Sequence, residues 1–148
     1  MGDDFTMVKV RIEVKREFRL GEKGEQFKEE LLNLVAEEGV LHMESVTPKR
    51  TGRGAYSYRV INRGGNTREI NNSTFYLPYV NDGTGIYGPR HARITPKNAK
   101  FLHFTWKGQE WFLRSVRGQK PRRFVERGAN DIAKSVDKLA VIAARRVL

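Results

Sequence analysis

The chain contains no cysteine among its 148 residues. That excludes disulfides, thiolate metal sites and cysteine nucleophiles, and it suits a reducing interior. Long apolar runs are missing as well. The longest clean one is Leu139–Ala144, far short of the ~20 residues that a membrane span needs. The opening Met-Gly-Asp-Asp-Phe-Thr lacks the basic and apolar regions of a secretory signal. It matches the loose myristoylation pattern at Gly2 and Thr6, but two acids directly after the glycine argue against acylation. Without a secretory signal, the N-x-S/T triplets beginning at Asn71 and Asn72 carry no implication.

Catalytic groups are scarce too. From residue 51 onward the only acids are Glu69, Asp82, Glu110, Glu126, Asp131 and Asp137, a thin supply for chemistry that needs convergent carboxylates. The three histidines, His42, His91 and His103, are linked by no H-x-x-x-H or H-x-x-E-H spacing, so no zinc site is expected. No serine sits in a nucleophile elbow, and no Gly-Lys-Ser/Thr completes a P-loop. Gly83-Thr84-Gly85-Ile86-Tyr87-Gly88 spells G-x-G-x-x-G. Pro89, Arg90 and His91 follow it, in place of the helix whose amides would hold a pyrophosphate. It reads as a glycine-rich exposed turn. The sequence therefore predicts neither an enzyme nor a cofactor.

What is present is positive charge, concentrated in one stretch. The net charge is +11, and residues 86–127 carry 11 Lys/Arg against 2 Asp/Glu, whereas residues 1–50 carry 9 against 11. The basic stretch also holds Phe101, Phe104, Trp106, Trp111, Phe112 and Phe124, so it is a folded element with a cationic surface. Its expected partner is polyanionic, either nucleic acid or an acidic protein face. No RNP signature, GXXG clamp or recognition helix accompanies it.

Periodicity supplies the elements. Val8, Val10, Ile12 and Val14 alternate with charged residues and predict a strand with one wet face. Phe27, Leu31, Leu34, Val35, Leu41 and Val46 mark a helix over 24–47, ending before Pro48, with Glu25, Glu29, Glu30, Glu37 and Glu38 on its solvated side. Tyr56–Ile61 and about Ile70–Val80 read as strands around Asn62–Asn66. A long exposed loop over 81–97 follows, of the length that is usually functional. Lys100–Trp106 and Glu110–Val116 predict a hairpin around Lys107-Gly108-Gln109. Ile132, Val136, Leu139, Ala140, Ala143 and Val147 then make the stripe of a C-terminal helix over 122–148. The expectation is a single α+β domain over 1–148. Its segments are an N-terminal strand region over 1–20, the helix, and an antiparallel sheet of four to five strands over 55–116, with the long C-terminal helix packed on that sheet.

The order of these pieces resembles a known family. Thr51-Gly52 follows the first helix. Next come Tyr76-Leu77-Pro78-Tyr79-Val80-Asn81-Asp82-Gly83-Thr84-Gly85 at a strand end, Phe101-Leu102-His103-Phe104 with a Gly108 turn, and Gly118-Gln119-Lys120-Pro121-Arg122-Arg123-Phe124 leading into the last helix. This is similar to the small tail-completion (head–tail joining, minor tail component) proteins of long-tailed phages, over roughly residues 24–148. The family often has an acid where Asn81 stands, and a proline directly before the phenylalanine. The resemblance implies a non-enzymatic virion subunit, a homo-oligomeric ring (hexameric in the family) at the neck or head-proximal tail end. It would be assembled in the host cytoplasm beside connector and tail-tube proteins, without a membrane. Tyr79, Asn81, Gly83, Thr84 and Gly85 are then the expected subunit contact, because glycines around a threonine suggest an approach that a Cβ would block. Arg90, Arg93, Lys97, Lys100, Arg114, Arg117, Lys120, Arg122 and Arg123 are expected to line a channel for DNA in transit or to dock on an acidic neighbouring ring, without reading base sequence. The alternative is a cellular nucleic-acid-binding domain that uses the basic 86–127 surface.

Overall fold

The computed structural model describes residues 7–15, 21–49 and 52–148. Gly2, Thr6, Thr51 and the outer parts of the 1–20 segment lie outside them. The described chain runs β1 (Val8–Glu13), α1 (Glu22–Val46), β2 (Arg59–Asn62), β3 (Thr67–Asn72), α2 (Leu77–Asp82), a 3-10 turn (Gly85–Tyr87), β4 (Leu102–Trp106), β5 (Gln109–Leu113) and α3 (Phe124–Val147). The class is α+β, divided into two compact units. The larger comprises the chain up to Phe75 together with Phe124–Leu148, and the smaller is Tyr76–Arg123.

In the larger unit the strands form one antiparallel sheet in the order β1-β3-β2. Val10 faces Ile70 across one ladder, and Val60 faces Ile70 across the other. Val8, Val10 and Ile70 are buried while Lys9 and Arg11 are exposed, as the alternation in β1 predicts. Gly39 sets how close α1 comes to this sheet. A Cβ built there would lie 2.5 Å from Ile70 Cδ1 and 3.2 Å from Ile132 Cδ1. Leu41, expected on the inner face, is 58% exposed, and Met43 is fully buried instead.

Two expectations about the sheet need correction. It is not one sheet of four to five strands, because β4 and β5 form a separate two-stranded sheet. The strand expected to reach Val80 stops at Asn72. The Asn72 side chain accepts from the Thr74 amide at 3.0 Å and donates to the Gly54 carbonyl at 2.6 Å, which turns the chain away from the ladder. The C-terminal helix also packs mainly along α1, with only slight contact to β1. Three strands ~4.8 Å apart present a width of about one helix, and α1 occupies it.

α3 meets α1 through a second glycine. A Cβ on Gly128 would overlap Met43 Sδ and lie 3.1 Å from Val46 Cγ2. Gly128→Val is therefore expected to lower stability by about 2–3 kcal/mol, since overpacking a closed contact forces side chains and backbone to shift. Equilibrium urea unfolding checks this, and a midpoint equal to wild type would refute the close contact.

Buried polar groups in this unit serve the fold. Arg68 is 3% exposed. It donates to Glu29 Oε1 at 2.7 Å, and to Asn33, Asn62 and the Gly64 and Thr67 carbonyls at 3.1–3.3 Å, so its charge is both paired and hydrogen-bonded. Just beyond α1, the Thr47 hydroxyl donates to the Met43 carbonyl at 2.6 Å and bonds the Tyr58 hydroxyl. Burial pushes the Tyr58 phenol up from its ordinary value, and the Thr47 bond partly offsets that shift.

Candidate interaction surface

The smaller unit is organised by main-chain contact between two glycine-bearing segments. Of the run expected as a strand end, Leu77–Val80 belongs to α2 and Tyr76 is its N-cap residue, with Pro78 in the first turn, where a missing N–H costs nothing. α2 ends at Gly83 (φ 85), and Gly85 (φ 63) follows within two residues. The second segment runs antiparallel beside the first. The Ile86 amide donates to Arg117 O at 2.8 Å, Thr84 to Gln119 O at 2.9 Å, Arg122 to Val80 O at 3.0 Å and Arg123 to Asn81 O at 3.2 Å. The Gln119 amide returns a bond to Thr84 Oγ1 at 2.8 Å. Farther along, Ile94 and Val116 exchange both bonds, at 2.9 and 3.0 Å.

This register explains the glycines. A Cβ on Gly85 would overlap the Arg117 carbonyl, and one on Gly118 (φ 96) would overlap the Thr84 carbonyl. A Cβ on Gly83 would sit 2.9 Å from Tyr87 O and 3.0 Å from Pro121. The close approach expected from Gly83-Thr84-Gly85 is real, and it is made by the chain's own second segment. Gly118, its counterpart, opens the run Gly118–Phe124 in the sequence, but its approach to Thr84 is not expected from it. A glycine three residues before Pro121 within the basic stretch was the available signal.

The two sets of expected residues converge in part. Tyr79, Gly83, Thr84 and Gly85 line an open groove of about 720 Å³ together with Arg90, Arg93 and Lys97. Pro89, Ala92 and Ile94 supply its apolar wall. Asn81 is buried and donates to Asp82 Oδ1 at 3.0 Å, so it works inside the turn. Arg93 is anchored by a 2.8 Å bond from its Nε to Ser115 Oγ, and Lys120 lies 5.9 Å from the Tyr87 ring centre. Arg122 and Arg123 hold the end of α2 through their amides, and Arg123 adopts a left-handed backbone (φ 49) with its guanidinium 3.9 Å from Asp82. Lys100, Arg114 and Arg117 are exposed and stand outside the groove.

The hairpin β4–β5 carries the exposed aromatics. Phe101 is 44% exposed, Phe104 37% and Phe112 61%. The His103 and Phe112 rings stack at 4.4 Å and 4° between planes, and His103 Nε2 lies 3.4 Å from Glu110. Cations beside exposed rings and an apolar groove make a surface suited to a polyanion or to an acidic, partly apolar protein face.

Among the described residues no group of His, Asp and Glu is placed to hold a metal ion, and no helix is long and apolar enough to cross a membrane. Compared with known proteins, the chain matches no family model, no curated protein and no solved structure.

Proposed function

We propose that this chain is a structural virion protein, a ring-forming tail-completion or head–tail joining component at the neck of a tailed virus. The observation that carries the reading is the order of motifs along the sequence, from Thr51-Gly52 through Tyr76–Gly85 and the Gly108 hairpin to Gly118–Phe124. Supporting it is a unit whose exposed cations Arg90, Lys97, Lys100 and Arg114 make no ion pair among the described residues. Such charge suits a conduit through which DNA slides, because phosphate contacts position without specifying sequence. It equally suits docking on an acidic neighbouring ring. No residue is assigned a catalytic role, and the partners are further copies of the chain, adjacent connector and tail-tube proteins, and packaged DNA in transit.

Microscopy of the concentrated protein and of purified particles tests the reading. Rings of the free protein, or the chain located at the neck of virions, are expected. A protein that stays monomeric and is absent from particles removes the proposal. The second reading, a cellular nucleic-acid-binding domain, is favoured by one observation, the exposed Phe101 and Phe112 beside Lys100 and Arg114, which resembles a stacking platform. It requires steep salt dependence with a preference for single strands.

A further inference from the structure

The edges of the two sheets are treated differently. β1, one edge of the larger sheet, carries Lys9, Arg11 and Glu13 in six residues, and β2, the other edge, is four residues long and begins with Arg59. Charges and shortness are how natural edges avoid unwanted strand addition. The ten strand residues of the β4–β5 hairpin carry one formal charge, Glu110, and no proline. That bareness sits inside the most basic stretch of the chain. The cations stand just off the strands instead, with Lys100 before β4, Lys107 in the turn and Arg114 after β5.

The hairpin's geometry defines both edges. Lys107 (φ 53) and Gly108 (φ 75) form a two-residue turn with both backbones left-handed, the mirror-image type that matches strand twist. In a ladder closed this way the pairs Trp106–Gln109 and Phe104–Trp111 exchange bonds with each other. The main-chain groups of His103 and Thr105 then face outward on one edge, and those of Glu110 and Phe112 on the other. Two strands alone are marginal in water, and among the described residues the sheet contains only these two.

We infer that this hairpin is the assembly edge of the subunit, with β4 of one copy pairing antiparallel to β5 of the next. The occupant is a second copy because the two bare edges lie on opposite sides of one hairpin and run in opposite directions. A head-to-tail repeat therefore gives antiparallel pairing at every junction. Glu110, the sole strand charge, is brought to an edge bounded by Lys100 and Lys107, so the contact is electrostatically matched. A heterologous contact closes into a ring when its rotation allows, and closure leaves no edge of the hairpin unpaired. The inference rests on the ring reading above and assigns its contact.

Thr105→Pro and Phe112→Pro each remove one outward N–H and spare the bonds within the hairpin. In sedimentation at concentrations where wild type assembles, each is expected to weaken self-association by about tenfold or more, the loss of a bond at every junction. Because the chain has no cysteine, a second arm is clean. Thr105→Cys protein is mixed in turn with Glu110→Cys and Phe112→Cys protein under mild oxidation. A mixed disulfide is expected from at least one pair, and none from any variant alone. If the proline variants unfold by circular dichroism, the cysteine arm decides. Wild type that forms rings while folded proline variants also form them, or while no mixed disulfide appears, overturns the hairpin contact and leaves the ring reading standing. Disulfides from one variant alone would indicate an isologous contact and also overturn it. Wild type that is monomeric at every attainable concentration overturns the hairpin contact, and it overturns the ring reading too when the chain is absent from particles.

Discussion

Gly85→Val is expected to unfold the smaller unit while the larger unit keeps its helices. Two costs combine. The left-handed backbone at φ 63 disfavours any side chain by about 1–2 kcal/mol. The added Cβ also overlaps the Arg117 carbonyl, so the two segments must part. Parting breaks the Ile86–Arg117 and Thr84–Gln119 bonds and the return bond to Thr84 Oγ1, each worth a net ~0.5–1.5 kcal/mol. The total is about 2.5–6.5 kcal/mol. Gly108→Ala separates the two costs, because φ 75 applies there but nothing lies within 4 Å of its Cβ. It should lose only the conformational part. The readout is selective: both tryptophans, Trp106 and Trp111, lie in the smaller unit, so their emission reports that unit, whereas far-ultraviolet circular dichroism is dominated by α1 and α3. Emission unchanged in Gly85→Val, or a loss no larger than in Gly108→Ala, would refute this account.

Reversing Arg90, Lys97, Lys100 and Arg114 to glutamate is expected to abolish most polyanion binding at unchanged fold. These four are exposed and unpaired among the described residues, so each substitution should alter stability by only about 0.5 kcal/mol. If all four meet phosphate, the log–log dependence of duplex DNA affinity on salt becomes shallower by about 3–4. In a joining protein the same change should lower the yield of DNA-retaining particles. Arg123 is unsuitable for this test, because its backbone is left-handed and its guanidinium lies 3.9 Å from Asp82. Wild-type salt dependence together with wild-type particle yield would exclude these cations from any anionic contact.

The elements that local pattern controls were legible in the sequence. Alternation placed β1, helical spacing placed α1 and α3 to within two residues at each end, and the Lys107-Gly108 turn placed the hairpin. Failures came where distant contacts decide. Tyr76–Val80 is rich in residues that favour strands, yet Pro78 in the first turn and the bond from Arg122 to Val80 O accompany a helix there. The end of β3 is marked by bonds of the Asn72 side chain to Gly54 and Thr74, which no period reveals. Leu41 fits an apolar stripe in outline, but the buried arc follows Leu32, Val35, Ala36, Gly39 and Met43. For the candidate surface, the need for glycine at Gly83 and Gly85 was readable, whereas the identity of what approaches them was not. Arg117 and Gly118 are far along the chain, and only the folded register brings them there.

The bonds from Arg122 to Val80 and from Arg123 to Asn81 join the chain where it enters the smaller unit to the chain where it leaves. They act as a clasp on an insertion. Without it, α3 would have to find α1 across the whole of Tyr76–Arg123 treated as slack chain. With the clasp closed, the effective connection between Phe75 and Phe124 shortens to a few residues, which lowers the loop-closure entropy by roughly 2 kcal/mol. The insertion therefore behaves kinetically like a short turn, and docking of the last helix becomes a local step once the smaller unit has formed.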